Sequence, residues 1–531
     1  MNRNMIKCLS FLCAMIMLLS ALSACHQSGS EHPDTAATIE SQDTTVESLP
    51  TTDAETDPPA ETVTEVPTEA ETEGETEPPA PDLLYILPPD KNSSSFTVTW
   101  DMTTGKTSLQ AEADRICKSL ENTLNIRIRQ TDAAVKSRIR DTEIVIGSEN
   151  REECVALTET LSEGEYAIKV YPAEGKGDGR IVIAYTNLLS RTLATEFFVS
   201  TIIGEYGGCL PMDFEARGGT PTEEQGIIVS DISKLRDPCI LVIGDTYYAY
   251  GTNWKLYKNT SGDLSGPWKQ IKNVVEVPED VDTNKWAPEV HEYNGAYYMF
   301  TTYKAKSTGR RGCVIMKSDS PEGPFKMITD GHITPKDWDA IDGTLYIDPD
   351  GQPWMVFVHE WTSTPNGIGT FAAAKLSEDL THFISEPMEL FAANEPAWAT
   401  SQVTDGCWMY TTEEGELLMI WSNFEPAGYT VAISRSSNGR LDGEWIHEES
   451  LLYSENYTGV HDGGHGMIFT DLNGQMYLSI HSPNDDTDAR KATPTFIPIV
   501  EKNGTLAWTY IQSARENVTI TGTFPENDTN D

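Results

Sequence analysis

The chain contains few basic residues for its length. Its 531 residues include 38 Lys and Arg against 82 Asp and Glu, so the formal net charge is −44. Nucleic acids and anionic lipid headgroups are also negative and would be repelled at close range. The composition therefore predicts neither a nucleic-acid-binding protein nor one that attaches to a membrane through charge.

Cysteine is sparse as well. Six cysteines follow Cys25, and no two of them have the CxxC spacing of a metal or redox site. They are too few to form the disulfide scaffold of a domain this large, although one bridge in the first folded part stays open. These six are Cys117, Cys154, Cys209, Cys239, Cys313 and Cys407.

The N-terminus has the pattern of an export signal. Arg3 and Lys7 precede an apolar run from Leu9 to Leu22, which is shorter than the roughly 20 residues of a membrane-spanning helix. The run ends in Leu-Ser-Ala-Cys25, which resembles a bacterial lipobox. The resemblance implies a signal peptide over 1–24 and acyl chains on Cys25 that anchor the protein to the extracellular face of a bacterial cell membrane. An ordinary secreted protein is the alternative.

The segment from Cys25 to residue 82 is predicted to be a disordered linker. It consists largely of Thr, Glu, Asp, Pro and Ser, and residues 26–82 contain no Lys or Arg. Such a composition cannot bury enough apolar surface to offset the entropy lost on ordering. Charge repulsion and proline would extend the linker and hold the folded part away from the membrane.

Residues 83–230 are predicted to form a small α/β domain. Apolar residues recur at helical spacing from Leu109 to Leu124, and a second helix is expected near 188–203. Strands are predicted over 143–147, 166–171 and 181–185. This part contains no recognisable catalytic constellation, so we expect it to pack against or position its neighbour. Sugar binding is the alternative.

Residues 231–515 are all-β in texture and contain a pattern that recurs five times. In each copy a polar cluster is followed by a short strand, a turn and a second strand that is richer in aromatic and aliphatic residues. The second strands are Tyr247–Thr252, Tyr297–Thr301, Trp354–Val358, Leu417–Ser422 and Met476–Ile480. A repeat of roughly 50–60 residues with this texture is typical of propeller blades. We therefore predict a five-bladed β-propeller, with a β-sandwich as the alternative and a polar tail over 516–531.

Three of the repeats open with an aspartate. Asp237, Asp342 and Asp405 each stand where the innermost strand of a blade should begin, and there a side chain would face the central channel. Carboxylates that converge on one axis repel each other, which separates their pKa values. Glycoside hydrolysis requires such a separation, because one carboxyl group donates a proton while another stays ionised.

Five motifs in register carry a specific resemblance. They are Arg236-Asp237-Pro238, Trp286-Ala287-Pro288-Glu289, the run Asp342–Gly351, the run Gly415–Ser422 and Gly463–Met467. Together they resemble family 43 of the glycoside hydrolases, which are five-bladed propellers that invert anomeric configuration. The resemblance implies that Asp237 is the general base and that Asp342 tunes the acid and orients the substrate. It also implies plant-type polysaccharides or oligosaccharides with arabinofuranosyl or xylosyl linkages as substrates.

The general acid is where the sequence departs from the family pattern. Most members have Glu followed by Gly-Pro, whereas this chain has Asp405-Gly406-Cys407. Asp405 is the candidate by position, and Glu395 and Glu360 are its competitors. The shorter side chain at this position favours the second hypothesis, a non-catalytic carbohydrate-binding propeller on the cell surface.

The remaining site predictions concern a histidine and three tryptophans. The resemblance implies that His465 lies at the propeller centre near a water-coordinated ion, often calcium, although no cofactor is expected to be required. Trp286, Trp361 and Trp398 are candidates for stacking on sugars. We expect the protein to be a monomer.

Overall fold

The computed structural model describes residues 82–101, 107–135, 139–173, 179–458, 461–484 and 491–522. The predicted signal peptide, Cys25 and nearly all of the acidic linker lie outside these residues. The described part of the chain belongs to one compact unit. None of the helices found in these ranges is long and apolar enough to cross a membrane.

The first part of the chain forms an α/β layer. Its strands are β1 Leu83–Tyr85, β2 Thr97–Trp100, β3 Arg129–Asp132, β4 Glu143–Ile146, β5 Tyr166–Pro172, β6 Gly179–Tyr185, β7 Cys209–Pro211 and β8 Glu215–Gly218. The main sheet has the order β3-β2-β4-β6-β5-β8, and β1 pairs separately with β7. Strands β3, β2, β4 and β6 are parallel to each other, whereas β5 runs antiparallel to β6 and β8.

Three helices pack with this sheet, and the apolar periodicity predicts the first and the third of them. They are α1 Thr107–Leu124, α2 Glu152–Thr158 and α3 Leu188–Phe197, which continues as a π-helical turn over Phe198–Glu205. The apolar positions of α1 that face inwards are buried. Helix α3 begins at Asn187, whose side chain accepts a hydrogen bond from the backbone N–H of Ser190. This cap satisfies a donor that would otherwise lack a partner, and so it fixes where the helix starts.

A five-bladed propeller follows. The strand before it is β9 Ile228–Val229. The blades are β10 Cys239–Ile243, β11 Thr246–Gly251, β12 Lys255–Asn259 and β13 Lys269–Ile271; β14 Val281–Tyr293, β15 Ala296–Ala305, β16 Arg311–Ser318 and β17 Lys326–Met327; β18 Ala340–Ile347, β19 Pro353–His359, β20 Thr370–Lys375 and β21 Met388–Ala392; β22 Asp405–Thr411, β23 Leu417–Glu425, β24 Gly428–Ser436 and β25 Trp445–His447; and β26 Gly464–Thr470, β27 Met476–Ser482, β28 Thr493–Lys502 and β29 Thr505–Trp508.

The predicted repeat is confirmed, because each predicted second strand is the second strand of one blade. Each blade is antiparallel, and the first strands of neighbouring blades contact each other around the ring. Strand β9, which precedes the first blade, pairs with β28 of the last one. This pairing joins the two ends of the ring. Five separate sheets arranged in a ring exclude the β-sandwich, which was the alternative to the propeller.

The C-terminal residues differ from the prediction of a polar tail over 516–531. After α4 Glu455–Thr458 and α5 Thr509–Glu516, the strand β30 Thr519–Thr521 pairs with β8 and becomes the seventh strand of the α/β sheet. The prediction was wrong for these three residues because a short, exposed edge strand has no apolar alternation to mark it. The last strand therefore returns the chain to the layer in which it began.

The six described cysteines all carry free thiols, so the disulfide that the sequence left open is not formed. Cys154, Cys239, Cys313 and Cys407 are buried. They pack as small apolar side chains.

Candidate active site

Three aspartates meet around one histidine at the centre of the propeller. His465 Nδ1 lies 3.6 Å from Asp237 Oδ1, 3.9 Å from Asp342 Oδ2 and 3.3 Å from Asp405 Oδ1. The four side chains line a cavity of about 370 Å³. The other residues of its wall are Arg236, Thr252, Trp286, Ile341, Glu360 and Trp361. The structure therefore brings together the three aspartates and the histidine that the sequence analysis selected.

β-Bulges and positive φ angles in the backbone direct these side chains towards the cavity. Asp342 and His465 lie in β-bulges at the starts of β18 and β26, and a third bulge follows Asp405 in β22. Bulges commonly redirect side chains next to functional sites. Asp237, Asp342 and His465 have φ values of 56°, 54° and 55°. This left-handed conformation costs on the order of 1–3 kcal/mol per residue, so the surrounding packing must hold each of them in place.

Gly406 allows a close approach of two backbone segments within the site. A Cβ atom at this position would lie 2.8 Å from Cγ and 2.9 Å from Cα of His465, and φ is 50°. Only glycine fits this contact without movement of the His465 backbone. Gly406 thus lets His465 lie directly against the backbone next to the Asp405 carboxylate.

Asp237 is held in its ionised form. Its side chain accepts a hydrogen bond from Thr252 Oγ1, and its backbone N–H faces His481 Nδ1 at 3.3 Å. Burial works against ionisation, but the positive charge of His465, the hydrogen bond and charge of His481 and the charge of Arg236 together outweigh it. The pKa of Asp237 is therefore well below its ordinary value, so this carboxylate is ionised at neutral pH and free to accept a proton.

Asp342 and Asp405 form a coupled pair. Asp342 is only 3% exposed. Burial raises its pKa well above the ordinary value, the charges of Asp405 and Asp237 act in the same direction, and His465 opposes them. Burial works against ionisation of Asp405 too, but its hydrogen bond and charge contact with His465 lower the pKa to about 2. One proton shared between two neighbouring carboxyl groups is the pattern of a dyad.

Tyr429 holds the second oxygen of Asp405. Its hydroxyl donates to Asp405 Oδ2 at 2.5 Å, and the ring is buried. Sequence reasoning missed Tyr429, Thr252 and His481. The repeat register contained a signal for Thr252, since this residue ends the second strand of the first repeat as the sequence analysis predicted it. The other two residues open or close strands of blades four and five, and no motif marked them.

His465 is strongly basic in this setting. Burial lowers its pKa, but the three surrounding carboxylates outweigh burial and raise the pKa to about 10. Its Nε2 atom is buried and has no hydrogen-bond partner among the described residues. A buried, unpaired nitrogen fits an ordered water, and therefore also the water shell of a cation. Atoms of Asp342, Asp405 and His465 lie within 4.8 Å of one another, close enough to hold a metal ion.

The two competitors for the acid role are placed differently. Glu360 lines the cavity, but Arg311 donates to its two oxygens at 2.5 and 2.8 Å. Burial raises the pKa of Glu360 above its ordinary value, and the bidentate pair with Arg311 opposes this by favouring the ionised carboxylate. Glu395 does not line the cavity; it accepts a hydrogen bond from the backbone N–H of Ala392 and lies 3.3 Å from His447 Nε2.

The structure separates the three tryptophans. Trp286 and Trp361 line the cavity, and the guanidinium of Arg311 lies 5.8 Å from the ring centre of Trp286. Trp398 is 2% exposed and packs against Trp421, with 5.1 Å between ring centres. It lines a second cavity instead.

Comparison with known proteins agrees with this geometry. Residues 232–501, just over half of the chain, match the model of the glycosyl hydrolases family 43. The chain belongs to this family. The matched residues cover nearly all of the propeller and include every member of the aspartate–histidine cluster. The resemblance stated from the five motifs is thus confirmed.

Several named proteins are similar in sequence to this family 43 chain. It is 28% identical over 176 residues to an extracellular exo-α-(1→5)-L-arabinofuranosidase of Cellvibrio japonicus. This alignment covers 29% of this chain and 47% of that protein. It is 27% identical over 147 residues to an extracellular endo-α-(1→5)-L-arabinanase of Bacillus subtilis, covering 24% of this chain and 44% of that protein. In both cases the alignment spans less than half of the relative.

Among solved structures, an endo-arabinase from Bacteroides thetaiotaomicron is 37% identical to this chain. The match covers 53% of this chain and 100% of that one, with a TM-score of 0.47.

Proposed function

We propose that this protein is an inverting glycoside hydrolase that cleaves arabinofuranosyl or xylosyl linkages in plant-type polysaccharides or oligosaccharides. The observation that carries the proposal is the convergence of Asp237, Asp342 and Asp405 on His465 in a cavity at the propeller centre. Family membership supports the reaction class, and the names of the relatives favour arabinofuranosyl linkages.

Asp237 acts as the general base. Its ionised carboxylate takes a proton from a water molecule, which then attacks the anomeric carbon. Thr252 orients the carboxylate through its hydroxyl, and His465 keeps it charged. No covalent intermediate forms in this mechanism, because water is the nucleophile.

Asp405 delivers the proton to the leaving oxygen. It is the more accessible member of its pair, with 26% of its side chain exposed against 3% for Asp342. Asp342 retains the shared proton and passes it on through Asp405. The Asp237 and Asp405 oxygens next to His465 Nδ1 lie within about 7 Å of each other, and inverting pairs are typically separated by roughly 6.5–9.5 Å. The separation of these two oxygens therefore does not exceed the lower end of the inverting range.

Substrate and ion contacts complete the proposal. Trp286 and Trp361 provide aromatic walls for sugar rings, with Trp286 backed by Arg311. Calcium bound here would be held near His465 through its water shell. The reaction steps above use only side chains of the protein.

We also propose that the protein is a lipoprotein. The lipobox at Cys25 supports acylation and anchoring to the outer face of a bacterial cell membrane. The extracellular arabinan-degrading enzymes among its relatives support the same side of the membrane. Labelled palmitate should be incorporated by the wild type and not by Cys25→Ala; equal labelling of both would contradict the anchor.

Hydrolysis is tested with the variant Asp237→Asn on arabinan, arabinoxylan and xylo-oligosaccharides. We expect the variant to fold and to lose at least 10³-fold in kcat, on the order of the larger effects of catalytic residues. Asp245→Asn is the matched control, because Asp245 lies in the exposed turn between β10 and β11 of the same blade. Equal activity of Asp237→Asn and the control would overturn the assignment of the base.

One observation favours a second function, a surface propeller that binds saccharides without cleaving them. Asp405 is tied to His465 and Tyr429, and its side chain is one methylene shorter than the Glu of most relatives. Calorimetry that detects oligosaccharide binding, together with no hydrolysis on the full panel, would establish this alternative.

A further inference from the structure

A second cavity lies between the α/β layer and the fourth blade. It has a volume of about 490 Å³, larger than the catalytic cavity. Helix α1 contributes Ala111, Arg115 and Lys118 to one wall. Two segments of the fourth blade supply the opposite wall: the loop Ala397–Thr400 and the hairpin turn Glu425–Ala427. We call it the interface cavity.

Both blade segments that form this wall also connect directly to the catalytic site. Thr400 donates its backbone N–H to the carbonyl of Phe424 at 2.9 Å, so the loop and the hairpin are joined. Five residues further along the loop the chain reaches Asp405. On the hairpin, Tyr429 follows the turn and donates to the Asp405 carboxylate. The wall of the interface cavity and the catalytic Asp405 are therefore connected through the same end of the fourth blade.

The position of helix α1 relative to the blade is fixed by hydrogen bonds. Lys118 Nζ donates to the carbonyls of Asn394 and Pro396 at 2.8 and 2.5 Å, and Asn122 Nδ2 donates to the carbonyl of Glu395 at 3.3 Å. Arg115 approaches Glu449 to 3.7 Å. The cavity walls thus keep a fixed shape, as a binding site requires.

The chemistry of the walls suits a neutral, hydroxyl-rich ligand. Three cations are matched by three acids: Arg115, Lys118 and Arg191 against Glu112, Asp114 and Glu425. Burial raises the pKa of Glu425 to about 7, and the lining carries no large net charge of either sign. Trp398 is part of the wall, and its indole Nε1, which is buried, has no hydrogen-bond partner in the described chain. Charged side chains on both walls offer hydrogen-bond donors and acceptors to the hydroxyl groups of a sugar.

We propose that the interface cavity binds a distal segment of the same neutral polysaccharide chain whose reactive bond lies in the catalytic cavity. The inference rests on the proposed hydrolase function. It gives the α/β layer a part in substrate recognition: helix α1 completes a binding path that the propeller begins. Long chains would gain affinity from this second contact, and short substrates would not reach it.

The test fills the cavity from its two walls. Ala111→Trp places a ring in it from α1, and Ala399→Trp does so from the blade loop; both alanines are half-buried. Gln110→Trp is the matched control, since Gln110 is exposed on the same helix and does not line the cavity. Each variant is first compared with the wild type by thermal unfolding. The kcat/KM values are then measured on linear arabinan and on an aryl arabinofuranoside.

We expect the ratio of the polymer kcat/KM to the aryl-substrate kcat/KM to fall about tenfold in both filled variants, as the loss of one modest contact predicts. Gln110→Trp should keep the wild-type ratio. An unchanged ratio in the filled variants, or an equal fall in Gln110→Trp, would overturn the proposal.

A binding measurement separates this inference from the proposed function. In the Asp237→Asn background, electrophoresis through a gel that contains arabinan reports polymer binding without turnover. Retardation that is weakened by Ala111→Trp and by Ala399→Trp supports the interface cavity even if no substrate is hydrolysed. Retardation equal to that of the unfilled protein contradicts the cavity even if hydrolysis is normal.

Discussion

Glu425 should make the stability of the protein depend on pH. Its carboxyl group is buried at the junction of the fourth blade and the α/β layer, where it accepts hydrogen bonds from Ser454 and Asn456. Burial raises its pKa from 4.5 to about 7; Ser454 and Arg115 lower it, while Glu112 and Glu196 raise it. The folded state therefore keeps a proton that the unfolded state releases at lower pH.

The direction and size of the pH effect on stability follow from this difference in pKa between the folded and unfolded states. A pKa raised on folding means that the free energy of unfolding falls as pH rises from about 4.5 to about 7 and is constant above that range. A difference of roughly 2.5 pKa units corresponds to about 3 kcal/mol. Glutamine resembles the protonated acid and does not ionise. Glu425→Gln should therefore be more stable than the wild type at pH 8 and similar to it at pH 5.

Thermal unfolding at the two pH values measures the effect. For a chain of this size we expect Tm of Glu425→Gln to exceed that of the wild type by on the order of 5 °C at pH 8. Glu378→Gln, a change at an exposed position in the third blade, should leave Tm unaltered at both. A shift of the same size at pH 5 and pH 8 would refute the reasoning, because it could not arise from ionisation.

Three further predictions concern the catalytic cavity. Tyr429→Phe should lower kcat about tenfold and shift the alkaline limb of the pH–rate profile, which reports the proton donor, because Asp405 loses a hydrogen bond. Gly406→Ala should reduce both Tm and kcat, since its Cβ would meet His465; circular dichroism and initial rates report the two effects. Arg311→Ala should raise KM more than it lowers kcat, because Glu360 loses its partner at the cavity wall; Arg310→Ala on the neighbouring, more exposed side chain is the control.

The repeat pattern carried most of what could be predicted. A propeller repeats one blade around an axis, so the position of a residue within the repeat sets its distance from the channel. Asp237, Asp342 and Asp405 open three repeats, and His465 opens the fifth. That placement was sufficient to predict that they would meet, even though 228 positions separate the first from the last.

Residues outside the repeat were harder to place. Trp398 and Glu395 belong to the loop between β21 and β22, which packs towards helix α1 instead of the channel. Sequence separation conceals that contact, because α1 lies some 270 residues earlier in the chain. The same applies to β30, whose pairing with β8 depends on where the chain returns and not on its own apolar pattern.

Partners within the site were also missed, for a physical reason. Tyr429 and His481 act through contacts across the sheet and between blades, and the residue types alone are common in propeller strands. The choice of proton donor among Asp405, Glu395 and Glu360 likewise depends on the side chains that each of them contacts. Glu360 has the chemistry of an acid, but its pairing with Arg311 is visible only in three dimensions.

The anomeric form of the first product tests the central claim most directly. Proton NMR during hydrolysis of an α-(1→5)-linked arabino-oligosaccharide identifies the anomer released before mutarotation. Water activated by Asp237 on the face opposite to Asp405 predicts that the β-anomer appears first. The α-anomer as first product would show retention and contradict the roles assigned to Asp237 and Asp405.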